Sequence, residues 1–361
     1  MRLTKFIVAA LAAFLFLTPL TSATARAEDA RDVLTSAVDG FIRPGYTALH
    51  AEARLMAELT GELCEAPSPG AVQAAHEGFG RLVEAWSRIE IVRFGPIIAD
   101  NRLERIHFFP DRRGLGLRQV QAVLAEKDET ATAAATLAGK SVALQGLTAL
   151  EYLLYGTGSD ELATGDAFRC AFADAVADRI EATSAELEAA WADPVGIAAR
   201  LSDPGPANPD YRNTAESLQA LLGVFVNSTE LVADTRVAPA LGDSLAAARP
   251  KLSPYWRSGL TARAFAANLD GFRDLYAAAG IDRLLTPALA RFGSSAMVEL
   301  EIACKAVTGL DMPFDEAVAD PTKRGVATYL AIVLRSVRDT FAGRISAGLG
   351  LSAGFSSTDG D

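Results

Sequence analysis

Gln145-Gly146-Leu147-Thr148-Ala149-Leu150-Glu151-Tyr152-Leu153-Leu154-Tyr155-Gly156 is the stretch on which the reading of this chain turns. It places a Gly and a Glu within a strongly apolar run of helical character. Gly inside a helix costs roughly 1 kcal/mol against Ala. A carboxylate flanked by leucines needs a partner or a changed pKa. On a helix Thr148, Glu151, Tyr152 and Tyr155 share one face through i, i+3 and i+4 spacing. That face carries oxygens, and the leucines lie mostly on the other side.

Working outward, nearly every segment repeats with a helical period. Leu55, Leu59 and Leu63 form one stripe. After the break at Pro67-Ser68-Pro69-Gly70, Val72, Ala75, Phe79, Leu82, Trp86 and Ile89 mark a second helix. A third is expected over 131–155 and a fourth over 171–191. Pro204-Gly205-Pro206, inside 202–209, is the best linker. Beyond it Leu218, Leu221, Leu222, Phe225 and Val232 restart the pattern, followed by Phe265, Leu269, Phe272 and Tyr276. Helices over 297–307 and 326–347 complete it. No run has the period of a strand with hairpin punctuation. The expected fold is all-α, two packed helical bundles, divided as 28–203 and 204–350, with a flexible tail at 351–361.

Residues 1–27 read as a signal peptide. Arg2 and Lys5 precede an apolar core over 6–17, and Ala25-Arg26-Ala27 supplies an A-x-A cleavage site. The apolar run is short for a membrane span. Export, to the periplasm in a bacterium, is the expected destination, with no transmembrane anchor. The roughly 330 residues that remain exceed one comfortable core. Half the chain is hydrophobic, with few aromatics, which is a helical composition. A net charge of −11 argues against nucleic acid or an anionic membrane surface as partner. Of the three cysteines, Cys64 and Cys170 fall in one expected bundle and are the favoured disulfide, while Cys304 reads as a buried thiol.

Trp86-Ser87-Arg88-Ile89-Glu90-Ile91-Val92-Arg93-Phe94-Gly95-Pro96 is the second informative segment. Trp86, Glu90 and Arg93 follow i, i+4 and i+7, and Gly95-Pro96 is expected to end the helix. Glu90 and Arg93 either face a shared cavity or form an ion pair that caps a helix end.

The segment 146–156 resembles the Gly-x-His-x-x-Glu signature of the imelysin family, with Thr148 where the family carries His. The Trp86 to Pro96 segment resembles a family helix that ends Arg-Phe-Gly-Pro. Tyr255-Trp256-Arg257-Ser258 and Ala267-Asn268-Leu269-Asp270-Gly271 resemble elements of the family's second half. The resemblance implies two helical bundles with a site between them, in a periplasmic protein linked to iron and catalogued as peptidase-like. With that resemblance, Glu151, Thr148, Glu90, Arg93, Trp86 and Tyr152 are the expected ligand-binding residues, with Glu151 and Glu90 as metal ligands or hydrogen-bond acceptors and Arg93 orienting them.

A zincin needs His-Glu-x-x-His. The three histidines, His50, His76 and His107, show no such spacing and read as surface or satisfied residues. A neutral Thr hydroxyl is a poor ligand for zinc or copper, though oxygens suit a hard cation. No catalytic residue is therefore assigned. The expected function is a monomeric binding protein for iron or another divalent metal ion, or for a periplasmic iron-uptake component. The alternatives are a metal-dependent hydrolase with Glu151 as general base, and a scaffold that has lost the family's ligand chemistry.

Overall fold

The computed structural model describes residues 18–351, with side chains from Glu28 onward. Of the expected signal peptide over 1–27, residues 1–17 lie outside the described residues and 18–27 are helical; of the expected tail, residues 352–361 lie outside them. Among the described residues the chain is all-helical, with ten α-helices of nine residues or more and no strand. These are α1 Thr18–Ala37, α2 Arg43–Glu65, α3 Pro69–Ile89, α4 Leu115–Glu126, α5 Leu147–Tyr155, α6 Ala167–Ala192, α7 Thr214–Gly223, α8 Thr261–Ala279, α9 Pro287–Thr308 and α10 Gly325–Asp339. No helix among them is long and apolar enough to cross a membrane.

In the first bundle α2 packs along both α3 and α6. The break before α3 works as read: Ser68 accepts a hydrogen bond from the Ala71 amide, and Pro69 occupies the first turn where no donor is missed. The disulfide between Cys64 and Cys170 joins the end of α2 to the start of α6, with Cα atoms 5.5 Å apart. Cys304, read as buried, is free and only half-buried on α9.

The second bundle packs α8 on α9, α9 on α10, and α10 on the helical run that follows α7. Its core centres on Phe225, stacked on Phe341 with ring centroids 4.2 Å apart and edged by Tyr276. Between Val224 and Val237 the helix widens twice to π geometry, at Val224–Ser228 and Leu231–Val237. Such widening re-aims side chains, and here the second segment carries Arg236.

One continuous core joins the bundles. α8 crosses α3 so closely that a Cβ on Gly271 would sit 2.3 Å from the Arg88 carbonyl oxygen. That contact is the physical meaning of the Asn-Leu-x-Gly element. α1 also lies against α7 and α8 of the second half.

Two local expectations are corrected. The segment 131–155 is broken: short turns at Glu129–Ala131, Ala134–Leu137 and Val142–Leu144 precede α5. Ser141 caps the last of them through the Ala143 amide. α3 stops at Ile89, with Glu90 as its C-cap, well before Gly95-Pro96.

Candidate functional site between the bundles

Gly146 is the N-cap of α5 and not an interior residue, so it carries no helix-interior penalty. It is small because a Cβ there would lie 2.5 Å from the Ile106 carbonyl oxygen and 2.7 Å from that of Arg105. This approach sets α5 against the 102–111 connection. Thr148 completes the contact, its hydroxyl donating to the Phe108 carbonyl at 3.1 Å. The side chain that stands at the motif's His position therefore pins two segments together.

The far end of α5 is held by a residue that sequence reasoning did not single out. Arg169 is buried and donates to the carbonyls of Leu153 at 3.2 Å and Thr157 at 2.6 Å. A cation on the last carbonyls of a helix answers both their open acceptors and the dipole.

Glu151 is 3% exposed. One carboxylate oxygen accepts from the Ser258 amide at 3.0 Å and from the Ser258 hydroxyl at 2.9 Å. Burial raises its pKa above the ordinary Glu value, against the opposing pull of Ser258 and the Arg257 charge. Ser258 belongs to the Trp-Arg-Ser element of the second bundle, so this hydrogen-bonded pair spans the interface.

Glu90 and Arg93 do not form the expected pair. Because α3 ends at Ile89, Arg93 leaves the helical face and makes no hydrogen bond among the described residues. The partner of Glu90 is Arg236, both residues 2% exposed. The guanidinium forks onto the carboxylate, Nη1 to Oε1 and Nη2 to Oε2, the latter at 2.6 Å. Asn268 adds an amide N–H to Oε1 at 2.9 Å and donates to the Ser87 carbonyl. Burial alone would raise the Glu90 pKa; the Arg236 charge and hydrogen bonds override it and hold it far below the ordinary range.

His107 is buried and lies beside this pair, its Nδ1 3.9 Å from Glu90. Of the two readings, surface or satisfied, it is the satisfied one. The Trp86 indole nitrogen and the Tyr255 hydroxyl each lie 3.4 Å from Nδ1, which can accept from either when the ring is neutral. Burial and the Arg236 charge lower the His107 pKa against the pull of Glu90, which favours that neutral form. Tyr255 stacks on the ring at 4.9 Å. The other two histidines are satisfied: His50 bridges Glu188 and Glu181, and His76 meets the Leu154 carbonyl.

These groups border a cavity of about 240 Å³ between the bundles. Thr148, Glu151 and His107 line it from the first half, and Thr235, Tyr255 and Trp256 from the second. Trp86 and Glu90 stand behind His107. Tyr152 lines an adjoining cleft with Trp256 and Arg257, its hydroxyl accepting from Gln121 at 3.1 Å. Larger surface clefts near Tyr211 and near Phe168 contain none of the motif residues.

A metal fits this donor set poorly. Among the described residues no group of three His, Cys, Asp or Glu side chains is placed to hold an ion. Glu90, expected as a ligand beside Glu151, already has its charge answered by Arg236. The residues that sequence reasoning left unassigned are Arg236, Asn268, Ser258 and His107. Ser258 and Asn268 carried a signal in their motif-like elements; Arg236 and His107 carried none.

A search of curated protein sequences finds no match. Among solved structures the chain is similar to an imelysin-like protein from Psychrobacter arcticum, with a TM-score of 0.72 and 22% identity, covering 91% of this chain and 98% of that one. It is also similar to a protein from Parabacteroides distasonis, provisionally named an iron-regulated protein A precursor. There the TM-score is 0.69 and identity 14%, covering 87% of this chain and 95% of that one. At these identities the likeness establishes the fold. The imelysin family model, under the heading peptidase M75, matches residues 42–339. With two bundles meeting over the Gly146 to Gly156 helix and a family match over most of its length, this chain belongs to the imelysin family.

Proposed function

We propose that this is an exported, non-catalytic binding protein of the imelysin family that serves an iron-linked process in the periplasm. Its ligand would occupy the cavity between the bundles at Glu151. The observation that carries the reading is a buried motif carboxylate, held by Ser258 across the interface, on the wall of that cavity. Such convergence of a few polar groups on a concave, mostly apolar space is the usual form of a small-ligand site. The relative provisionally named as iron-regulated, together with the family match, supports the iron link.

Binding without turnover is favoured by how the reactive groups are committed. The Ser258 hydroxyl lies against Glu151 and the Tyr255 carbonyl, with no histidine beside it to accept its proton. The Glu90 carboxylate is held ionised by Arg236.

A strain lacking this protein, grown under iron limitation, tests the reading. Restored growth and iron content with the wild-type gene, but not with a stably folded Glu151→Ala variant, is the expected result. Full rescue by Glu151→Ala would place the function elsewhere. Chelator-sensitive protein cleavage by the purified chain, lost in Glu151→Gln, would favour the hydrolase alternative.

A further inference from the structure

The charges that border the cavity do not match the chain that carries them. The protein has a net charge of −11, yet Arg112, Lys251 and Arg257 all line this cavity. None of the three side chains makes a salt bridge or hydrogen bond among the described residues, unlike Arg263, paired with Glu84, or Arg335, paired with Asp234. Lys251 and Arg257 instead lie against the Trp256 ring, 5.1 Å and 4.3 Å from its centroid.

The two carboxylates on the same wall are answered locally. Asp111 accepts from the amides of Leu115 at 2.7 Å and Leu117 at 3.2 Å, at the start of α4. Glu151 is held by Ser258. Three cations thus face two carboxylates, with Arg257 in the field of Glu151 and Asp111, so the cavity carries an excess of positive charge beside an apolar floor of Phe109, Pro254 and Trp256.

We propose that the cavity takes a small organic anion, a carboxylate or phosphate on a flat apolar body, and not a bare metal cation. The anionic group meets Arg112 and Lys251 at the rim, and the body lies between Trp256 and Phe109. At about 240 Å³ the space is below the range of roughly 300–1,000 Å³ usual for drug-sized ligands, which points to a single-ring compound. The proposal deepens the preceding reading and rests on the cavity being the ligand site.

The test uses the exported chain with 4-hydroxybenzoate, phenyl phosphate and the neutral 4-hydroxybenzamide, and separately ferrous and calcium salts. Trp86 and Trp191 are sealed and Trp256 is not, so tryptophan fluorescence reports the cavity, with calorimetry giving stoichiometry. Expected is binding of one or both anions, about tenfold weaker for the amide. Arg112→Gln and Lys251→Gln, at exposed positions that should fold normally, each weaken the anion about tenfold, and the loss shrinks at high salt. The ranking of benzoate against phenyl phosphate separates carboxylate from phosphate. Amide binding equal to the acid, abolished by Trp256→Ala, keeps the cavity as the site and overturns the anion. Stoichiometric metal binding lost in Glu151→Gln, with no anion bound, does the same. No binding of any probe overturns both.

Discussion

Arg236, on a π-helical turn of the second bundle, clasps Glu90 at the C-terminus of α3 in the first, with Nη2 to Oε2 at 2.6 Å. The pair is sealed from water and shared with Asn268, so it ties the bundles together directly behind the cavity. A buried ion pair adds little against an apolar replacement, but removing one partner strands the other. Arg236→Met is expected to lower the unfolding free energy by about 3–5 kcal/mol. The double variant Glu90→Leu/Arg236→Met should lose clearly less than the sum of the single changes. Urea unfolding of the four proteins checks this, and strict additivity would count against a coupled pair.

Glu151 and Glu90 respond oppositely to pH. Burial raises the Glu151 pKa, so the native state keeps a proton that the unfolded chain sheds near the ordinary Glu value of about 4.3. Its contribution to stability therefore declines as pH rises from there to the folded value. Glu90 is held low by Arg236, so its contribution is present above the ordinary value and lost as pH falls toward the folded one. Glu151→Gln should leave the acid limb in place and remove the decline. Measured by urea unfolding, its stability relative to wild type should climb with pH through the carboxylate range and then level off.

Gly146→Ala places a methyl against two backbone carbonyls that cannot swing away. A loss of about 1–3 kcal/mol is expected, together with displacement of Thr148 from Phe108. Gly61→Ala serves as the control. Gly61 lies within α2, and its nearest contact for a Cβ is the Asp174 carboxylate at 3.7 Å. That variant should gain about 0.4–1 kcal/mol. Thermal unfolding of both should move in opposite directions.

Cys64 and Cys170 close a loop with a sequence separation of 106. Cys64→Ser/Cys170→Ser is expected to lose about 4–5 kcal/mol in the chain-entropy model. Cys304→Ser, at a half-buried free thiol, should change stability by no more than about 0.5 kcal/mol. A comparable loss from both would show that the bridge does not restrict the unfolded chain.

Helical period, turn chemistry and composition determined the all-α class, because the stripes of α2, α3 and α8 and the caps at Ser68 and Pro69 are local properties. The motif helix and Glu151 were legible for the same reason, as was the disulfide from cysteine placement. Tertiary structure alone decided the partners. Arg236 lies 146 residues from Glu90, and Ser258 lies 107 from Glu151, and no period relates positions so distant. Arg93 had the right spacing to Glu90 but lost it when α3 ended at Ile89, since helical spacing predicts neighbours only while the helix continues. His107 looked unremarkable because its chain segment has no period. Its place beside Glu90 and on the cavity wall follows from α5 packing against that segment through Gly146, a contact between backbones that side-chain patterns do not encode.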